Sequence, residues 1–309
     1  MLPTLLASSS LGAVLSLATA LCWAISPLCF ASAARRIGSY PVTLLRATLA
    51  AVMLAAITPF WMAAADAPWP SAAQFAWLAA SGLAGMVIGD ALLYESYVRI
   101  GPRRATQILS LAPVASVILA WVWLDETLGA PTLVGITLVL LGTSYAVLVN
   151  PAAAQDLAAD PRHVTFAGVC FAVCGAIGVG VGAVLARRAF QSAPPLDATM
   201  ATAIRVGTSA AMLWVLPLVR GGMARSVRHL NDRFVLWRLV PGTLVGPFGG
   251  MLCYIFALKY LQAGPVSTLS AMSPLFILPM VAYRYGVRIT GPLVAASLLA
   301  AAGVALICM

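Results

Sequence analysis

Residues 105–124 read ATQILSLAPVASVILAWVWL, and residues 265–283 read PVSTLSAMSPLFILPMVAY. Neither stretch holds a charge, and each has about the 20 residues that a helix needs to cross a hydrocarbon core of about 30 Å. Both begin with a cluster of polar side chains and run into a proline, Pro113 or Pro274, and these prolines stand 161 positions apart. The same offset relates Gly85 to Gly246, Gly89 to Gly250, Pro131 to Pro292 and Gly142 to Gly303. Glycine and proline answer to backbone geometry, so five matches in one register mark an internal repeat. Upstream the register drifts: Arg46 falls against Arg205 at 159, and Arg35-Arg36 against Arg187-Arg188 at 152.

Working outward, further apolar runs complete a series of ten: Leu11–Ala33, Pro41–Met62, Ala73–Tyr97, Ala105–Leu124, Pro131–Val149, Phe166–Ala189, Ala198–Val219, Leu239–Tyr260, Pro265–Tyr283 and Ile289–Cys308. Five fall in a unit over residues 11–149 and five in a unit over 165–308. The linker 150–164, rich in Ala and Asp with two prolines, separates them. Five is odd, so the second unit enters the membrane from the opposite side. The expected fold is an all-α integral membrane protein of ten transmembrane helices, arranged as two inverted five-helix repeats around a central cavity. Inverted repeats are a signature of secondary transporters, whose halves rock about a midplane site, and some channels share it.

Composition agrees. The chain is 62% hydrophobic and 9% charged, against about 25% charged in soluble domains. Its 27 charged side chains (18 basic, 9 acidic) cannot solvate a surface of this size. Abundant aliphatics exclude a disordered chain, and continuous apolar runs exclude an alternating barrel. The net charge of +9 lies mostly in short loops, which gives no footprint for nucleic acid. Six cysteines all fall inside spans without zinc spacing, and His163 and His229 lie in loops, so no metal or other cofactor is expected. Leu11–Ala20 lacks the basic flank of a signal peptide and runs on through Trp23 and Phe30, which makes it a first span.

The segment Gly101–Leu128, GPRRATQILSLAPVASVILAWVWLDETL, followed by Pro131 and Gly142, resembles the end of the EamA-type domain of the drug/metabolite transporter superfamily. The stretch Gly82–Tyr97 resembles that family's glycine-rich third helix, Trp23 its first-helix tryptophan, and Gly242–Gly303 a weaker second copy. The resemblance implies ten helices in two repeats, a central cavity, and export or exchange of small metabolites. The first span has no acidic residue, unlike the small multidrug members, so their proton-coupling residue is not carried over.

Loops after odd-numbered spans carry thirteen arginines, from Arg35 to Arg288. Those after even-numbered spans carry Arg187, Arg188 and Lys259. Positive-inside counting puts the odd loops in the cytoplasm and both termini outside the cell (inner) membrane. The family resemblance implies cytoplasmic termini instead, and the count is followed here.

Within the spans the charges are Arg46, Asp90, Glu95 and Arg205. Each costs about 2.5 to 3.5 kcal/mol at a helix centre unless it finds a partner or a wet cavity. Arg46 and Asp90 lie at matching depths, which allows an ion pair that fixes packing. Asp90, Tyr94 and Tyr97 share a helical face that could equally line a cavity, while Glu95 points away toward the interface. Arg205 has no acidic residue in its own half's spans, since Met251 replaces the counterpart of Asp90. It is satisfied by carbonyls, water, a carboxylate across the pseudo-two-fold, or an anionic substrate. Gln107 and Ser110 before Pro113, and Ser270 and Ser273 before Pro274, flank paired interruptions that point to a midplane site. With Trp23 and Tyr254, the expected substrate-binding set is Trp23, Arg46, Asp90, Tyr94, Gln107, Ser110, Arg205, Tyr254, Ser270 and Ser273.

The expected function is secondary transport, by export or exchange, of a small anionic or amphipathic metabolite. Proton coupling through Asp90 or Glu95 and simple exchange are both open, as are a monomer and a homodimer. A channel and a non-transporting membrane scaffold are the alternatives. No nucleophile–base constellation points to an enzyme.

Overall fold

The computed structural model describes residues 2–149, 165–222, 227–276, 280 and 291–308. The linker 150–164, most of the second half of the ninth span, and Arg162, Arg225, Arg284 and Arg288 lie outside them. Among the described residues nine helices are long and apolar enough to cross a membrane, and they are the first eight spans and the tenth. The helices are α1 (Leu2–Ile37), α2 (Ser39–Ala65), α3 (Ala72–Gly82), α4 (Asp90–Ile100), α5 (Pro102–Leu109), α6 (Ala112–Leu124) and α7 (Ala130–Val149). The second half supplies α8 (Phe166–Gln191), α9 (Ala198–Val219), α10 (Arg233–Thr243), α11 (Met251–Tyr260), α12 (Ala263–Ser270) and α13 (Gly291–Cys308). The ninth span therefore begins as the helix α12.

Local chemistry sets the boundaries. Gly38 and Gly101 reverse the chain after α1 and α4 with φ of +94° and +83°, a region that a Cβ makes costly. Pro102 then opens α5, where its missing N–H costs nothing. At the opposite end Ser71 and Gln74 form a capping box on α3. Asp197 caps α9 by accepting from the backbone N–H of Thr199 (2.9 Å) and Met200 (3.0 Å). Several helices outrun the apolar runs that predicted them: α1 starts at Leu2 and the eighth span at Arg233. A helix keeps its backbone bonded in the headgroup layer, where hydropathy no longer marks it.

The 161 register reappears in the backbone. Each third helix is interrupted by a π-helical turn of seven residues, Leu83–Gly89 in the first half and Leu244–Gly250 in the second. Each fourth helix breaks at its polar cluster: Leu111 N–H donates to Ile108 O, and Met272 N–H to Leu269 O. Helix resumes with Pro113 in the first turn of α6 and from Ser273 in the second half.

Close packing establishes the inversion. A Cβ on Gly135 would stand 2.6 Å from the Gly303 carbonyl oxygen, and one on Gly142 2.7 Å from that of Ala296. Shifting by 161 turns 303 into 142 and 296 into 135, so these are one contact seen from its two ends. Helices α7 and α13 thus run antiparallel about a pseudo-two-fold axis in the membrane plane. The third helices obey the same symmetry. Gly182 and Gly178 of α8 abut Gly85 and Gly89, while Ser26 and Cys22 of α1 abut Gly246 and Gly250. The first helices therefore correspond at an offset of 156, not the 152 obtained by matching arginine pairs.

The outer surface is apolar: Phe60, Val98, Leu218 and Leu298 all point outward. Trp61, Trp69, Trp121 and Trp123 are exposed around the end formed by the even-numbered loops, as an interfacial belt requires. Inside, the largest buried cluster fills that same even-loop half, with Leu54, Leu78, Leu124, Leu196, Leu258 and Val266.

Candidate functional site

The other half of the bundle is packed by smaller clusters, one around Phe30, Leu45 and Leu239 and one around Leu93, Ile100 and Ala172. Between the two repeats, from mid-depth toward the odd-loop end, lies a cavity of about 430 Å³. Its walls come from the broken elements. The π turns bring Gly85, Met86, Gly246 and Pro247 to it, and the breaks before the prolines bring Ser110 and Ser270. All ten residues of the expected binding set line this one cavity. Sequence reasoning missed Ser26, Thr43, Met86, Thr143 and Ser144, which also line it. Thr143 and Ser144 follow the register glycine Gly142, the one signal that could have flagged them.

Arg205 lines this cavity. Its residue is buried at 3% exposure, on the face of α9 that meets the first repeat. One guanidinium nitrogen donates to Gly182 O at 3.3 Å, and the group lies 5.6 Å from the centroid of the Tyr254 ring. Its Nε has no hydrogen-bond partner, and no carboxylate is ion-paired with it, among the described residues. Gly85 makes room, since a Cβ there would stand 3.1 Å from a guanidinium nitrogen. A buried cation held by one long hydrogen bond and a ring face retains donors for an anion.

Tyr254 is itself buried and packs on Trp23 with ring centroids 5.3 Å apart and planes inclined by 34°. Trp23 belongs to the first repeat and Tyr254 to the second. The column Trp23–Tyr254–Arg205 thus joins the halves along one wall.

The cavity also carries a charge pair. Arg46 donates to the Tyr94 hydroxyl at 2.9 Å and lies 3.7 Å from Asp90. It also sits 5.4 Å from the Phe30 ring centroid. The matched depths of Arg46 and Asp90 do bring them together, and the short bond goes to tyrosine. Tyr94 and Tyr97 meet edge to face at 5.8 Å. Glu95 points out of the bundle and pairs with Arg99 at 2.8 Å, so of the two acidic residues in α4 only Asp90 faces the cavity.

The hydroxyl clusters divide. Thr268 and Thr106 belong to the two clusters, and Thr268 bonds back to Gly264 O at 2.9 Å. Ser110 donates to Gln107 O and Ser273 to Ser270 O. The Ser270 hydroxyl is left without a partner among the described residues. Together the walls offer, among the described residues, one cation without an ion-pair partner, one paired cation and carboxylate, aromatic faces and the Ser270 hydroxyl. That set suits a small molecule with an anionic group and an apolar body. Among the described residues no group of His, Cys, Asp or Glu could hold a metal ion.

Compared with known proteins, a family model described as the EamA-like transporter family matches residues 10–148 and 166–309. No curated protein matches the sequence. A solved crystal structure is similar at 17% identity and a TM-score of 0.71, over 96% of this chain and 94% of that one. At that identity the likeness is one of fold.

Proposed function

This chain belongs to the EamA-like transporter family, and from that premise we propose that it is a secondary transporter that exports or exchanges a small anionic, amphipathic metabolite by alternating access. The observation that carries the proposal is Arg205, buried on the wall of a cavity between inverted repeats with no carboxylate in ion-pair contact among the described residues. A permanently buried cation is expensive, and a substrate carboxylate or phosphate satisfies it only while bound. The Trp23–Tyr254 column receives the apolar body. We take residues 11–149 and 165–308 as the two moving units.

A one-sided cavity supports a carrier over a channel, because the even-loop half is packed with Leu54, Leu78, Leu124 and Leu258. The arginine bias supports cytoplasmic odd loops and extracytoplasmic termini. On that orientation the cavity faces the cytoplasm, the loading side of an exporter in the cell membrane. Asp90 is then the group through which a proton would couple.

The test begins with a metabolite-resistance screen of an overexpressing strain, followed by uptake of the hits into proteoliposomes. Saturable uptake above empty liposomes, competed by unlabelled compound, supports the reading. Uptake equal to empty liposomes for every hit refutes it.

A further inference from the structure

Outside the cavity, a second buried ionic cluster lies among the described residues at the even-loop end. Glu126 follows α6 in the first repeat and is 8% exposed as a residue. One of its oxygens accepts from Arg187 Nε at 2.8 Å and from Gln191 at 3.4 Å, and the other accepts from Ala263 N–H at 3.2 Å. Arg187, at the end of α8 in the second repeat, donates in addition to Leu258 O at 2.7 Å and Lys259 O at 3.2 Å. A single carboxylate of one repeat therefore ties together the end of α8 and the α11–α12 junction of the other.

The placement of this cluster is specific. It caps the packed half of the bundle, directly beyond the apolar cluster that contains Leu258 and Ala263, and the cavity lies beneath that cluster. Alternating access requires the two repeats to separate at this end while they close at the other. Each of the three bonds that the Glu126 carboxylate accepts joins a pair of residues that such a motion pulls apart. A buried pair is worth little net stability when intact, but losing one partner is costly because the other is left uncompensated. Such a contact suits a two-state seal: firm when closed, and released only when the halves move as units.

We propose that Glu126 and Arg187 form the latch that holds the even-loop side of the transport pathway shut. This rests on the carrier reading, and the experiment separates the two. Ser267 lies on the cavity wall near the packed end, bonded to Ser116 across the repeats. A Ser267→Cys reporter, in a background with the native cysteines replaced, is labelled with a membrane-impermeant maleimide from each face of oriented vesicles. Trp69→Cys, exposed in an even-numbered loop, identifies the face.

With the latch intact, Ser267→Cys labels from the odd-loop face alone. Glu126→Gln keeps the shape but removes the charge, and even-loop labelling rises at least about tenfold, a modest share of what breaking a buried pair can release. Arg187→Lys keeps the charge but loses the carbonyl bonds and gives an intermediate rise. Unchanged even-loop labelling in Glu126→Gln at normal membrane levels overturns the proposal. An equal rise from both faces with a lower melting temperature also overturns it, because the cluster is then a structural clamp only. Labelling needs no substrate, so a latch that opens while no metabolite moves leaves the gate standing and removes the transporter reading.

Discussion

Replacing Arg205 by lysine keeps the charge and removes the guanidinium fork. Among the described residues Arg205 makes one hydrogen bond of 3.3 Å, to Gly182 O. An anionic group that meets two guanidinium nitrogens together gains two charge-assisted bonds, and lysine can offer it only one of comparable geometry. Losing one such bond costs about 1.5 to 3 kcal/mol, so KM should rise about 10- to 100-fold at about 1.4 kcal/mol per tenfold. Protein levels should not change. Arg205→Gln probes the opposite explanation. It forfeits the contact with the Tyr254 ring, about 0.5 to 2 kcal/mol, and one hydrogen bond, about 0.5 to 1.5 kcal/mol. It also lifts a buried charge whose cost is about 2.5 to 3.5 kcal/mol. These terms nearly cancel, so the melting temperature in detergent should hold or rise slightly while transport is lost. The assay is initial uptake rate against concentration in proteoliposomes, with thermal melts of the same preparations. Unchanged KM in Arg205→Lys, together with a melting temperature several degrees lower in Arg205→Gln, would make Arg205 a packing residue and refute the reasoning.

Three further outcomes follow from particular contacts. Gly303→Ala puts a methyl 2.5 Å from Gly135 O and should cost about 1 to 3 kcal/mol by overpacking; Gly207→Ala, with nothing within 4 Å, should gain up to about 1 kcal/mol from helix propensity, and paired melts decide both. A double-mutant cycle of Tyr94→Phe and Arg46→Gln should return a coupling of about 1.5 to 3 kcal/mol for their 2.9 Å charge-assisted bond, larger than the coupling of Arg46 with Asp90 at 3.7 Å; the reverse order would put the ion pair first. Alkaline phosphatase fused after Met309 should be active and a fluorescent protein there dark, and the opposite pattern would show that the arginine count misleads in this chain.

The architecture was legible because glycine and proline report backbone geometry directly. Gly85, Gly89, Gly246 and Gly250 stand at the π turns and at close helix contacts, and Pro113 and Pro274 follow the breaks. Side-chain placement on one helix was legible too, since Asp90, Tyr94 and Tyr97 do share the cavity face. What joins distant segments was not. Glu126 carries no pattern of its own in the sequence and Arg187 enters only as a loop charge, and the two lie 61 positions apart. Their meeting depends on how α6 and α8 pack, which no local pattern encodes. The hydrogen bond from Arg46 to Tyr94 was hidden similarly, because depth along two helices can pair residues but cannot choose between two acceptors one turn apart.

The central claim is that two inverted halves carry a metabolite by exposing one cavity to each side in turn. Solute counterflow in proteoliposomes tests it most directly, using a hit of the resistance screen, unlabelled inside and labelled outside. The account predicts a transient overshoot of labelled compound above its equilibrium level, because exchange through one alternating site accelerates entry against a loaded interior. A monotonic rise to equilibrium with measurable conductance would instead describe an open pore and contradict the account.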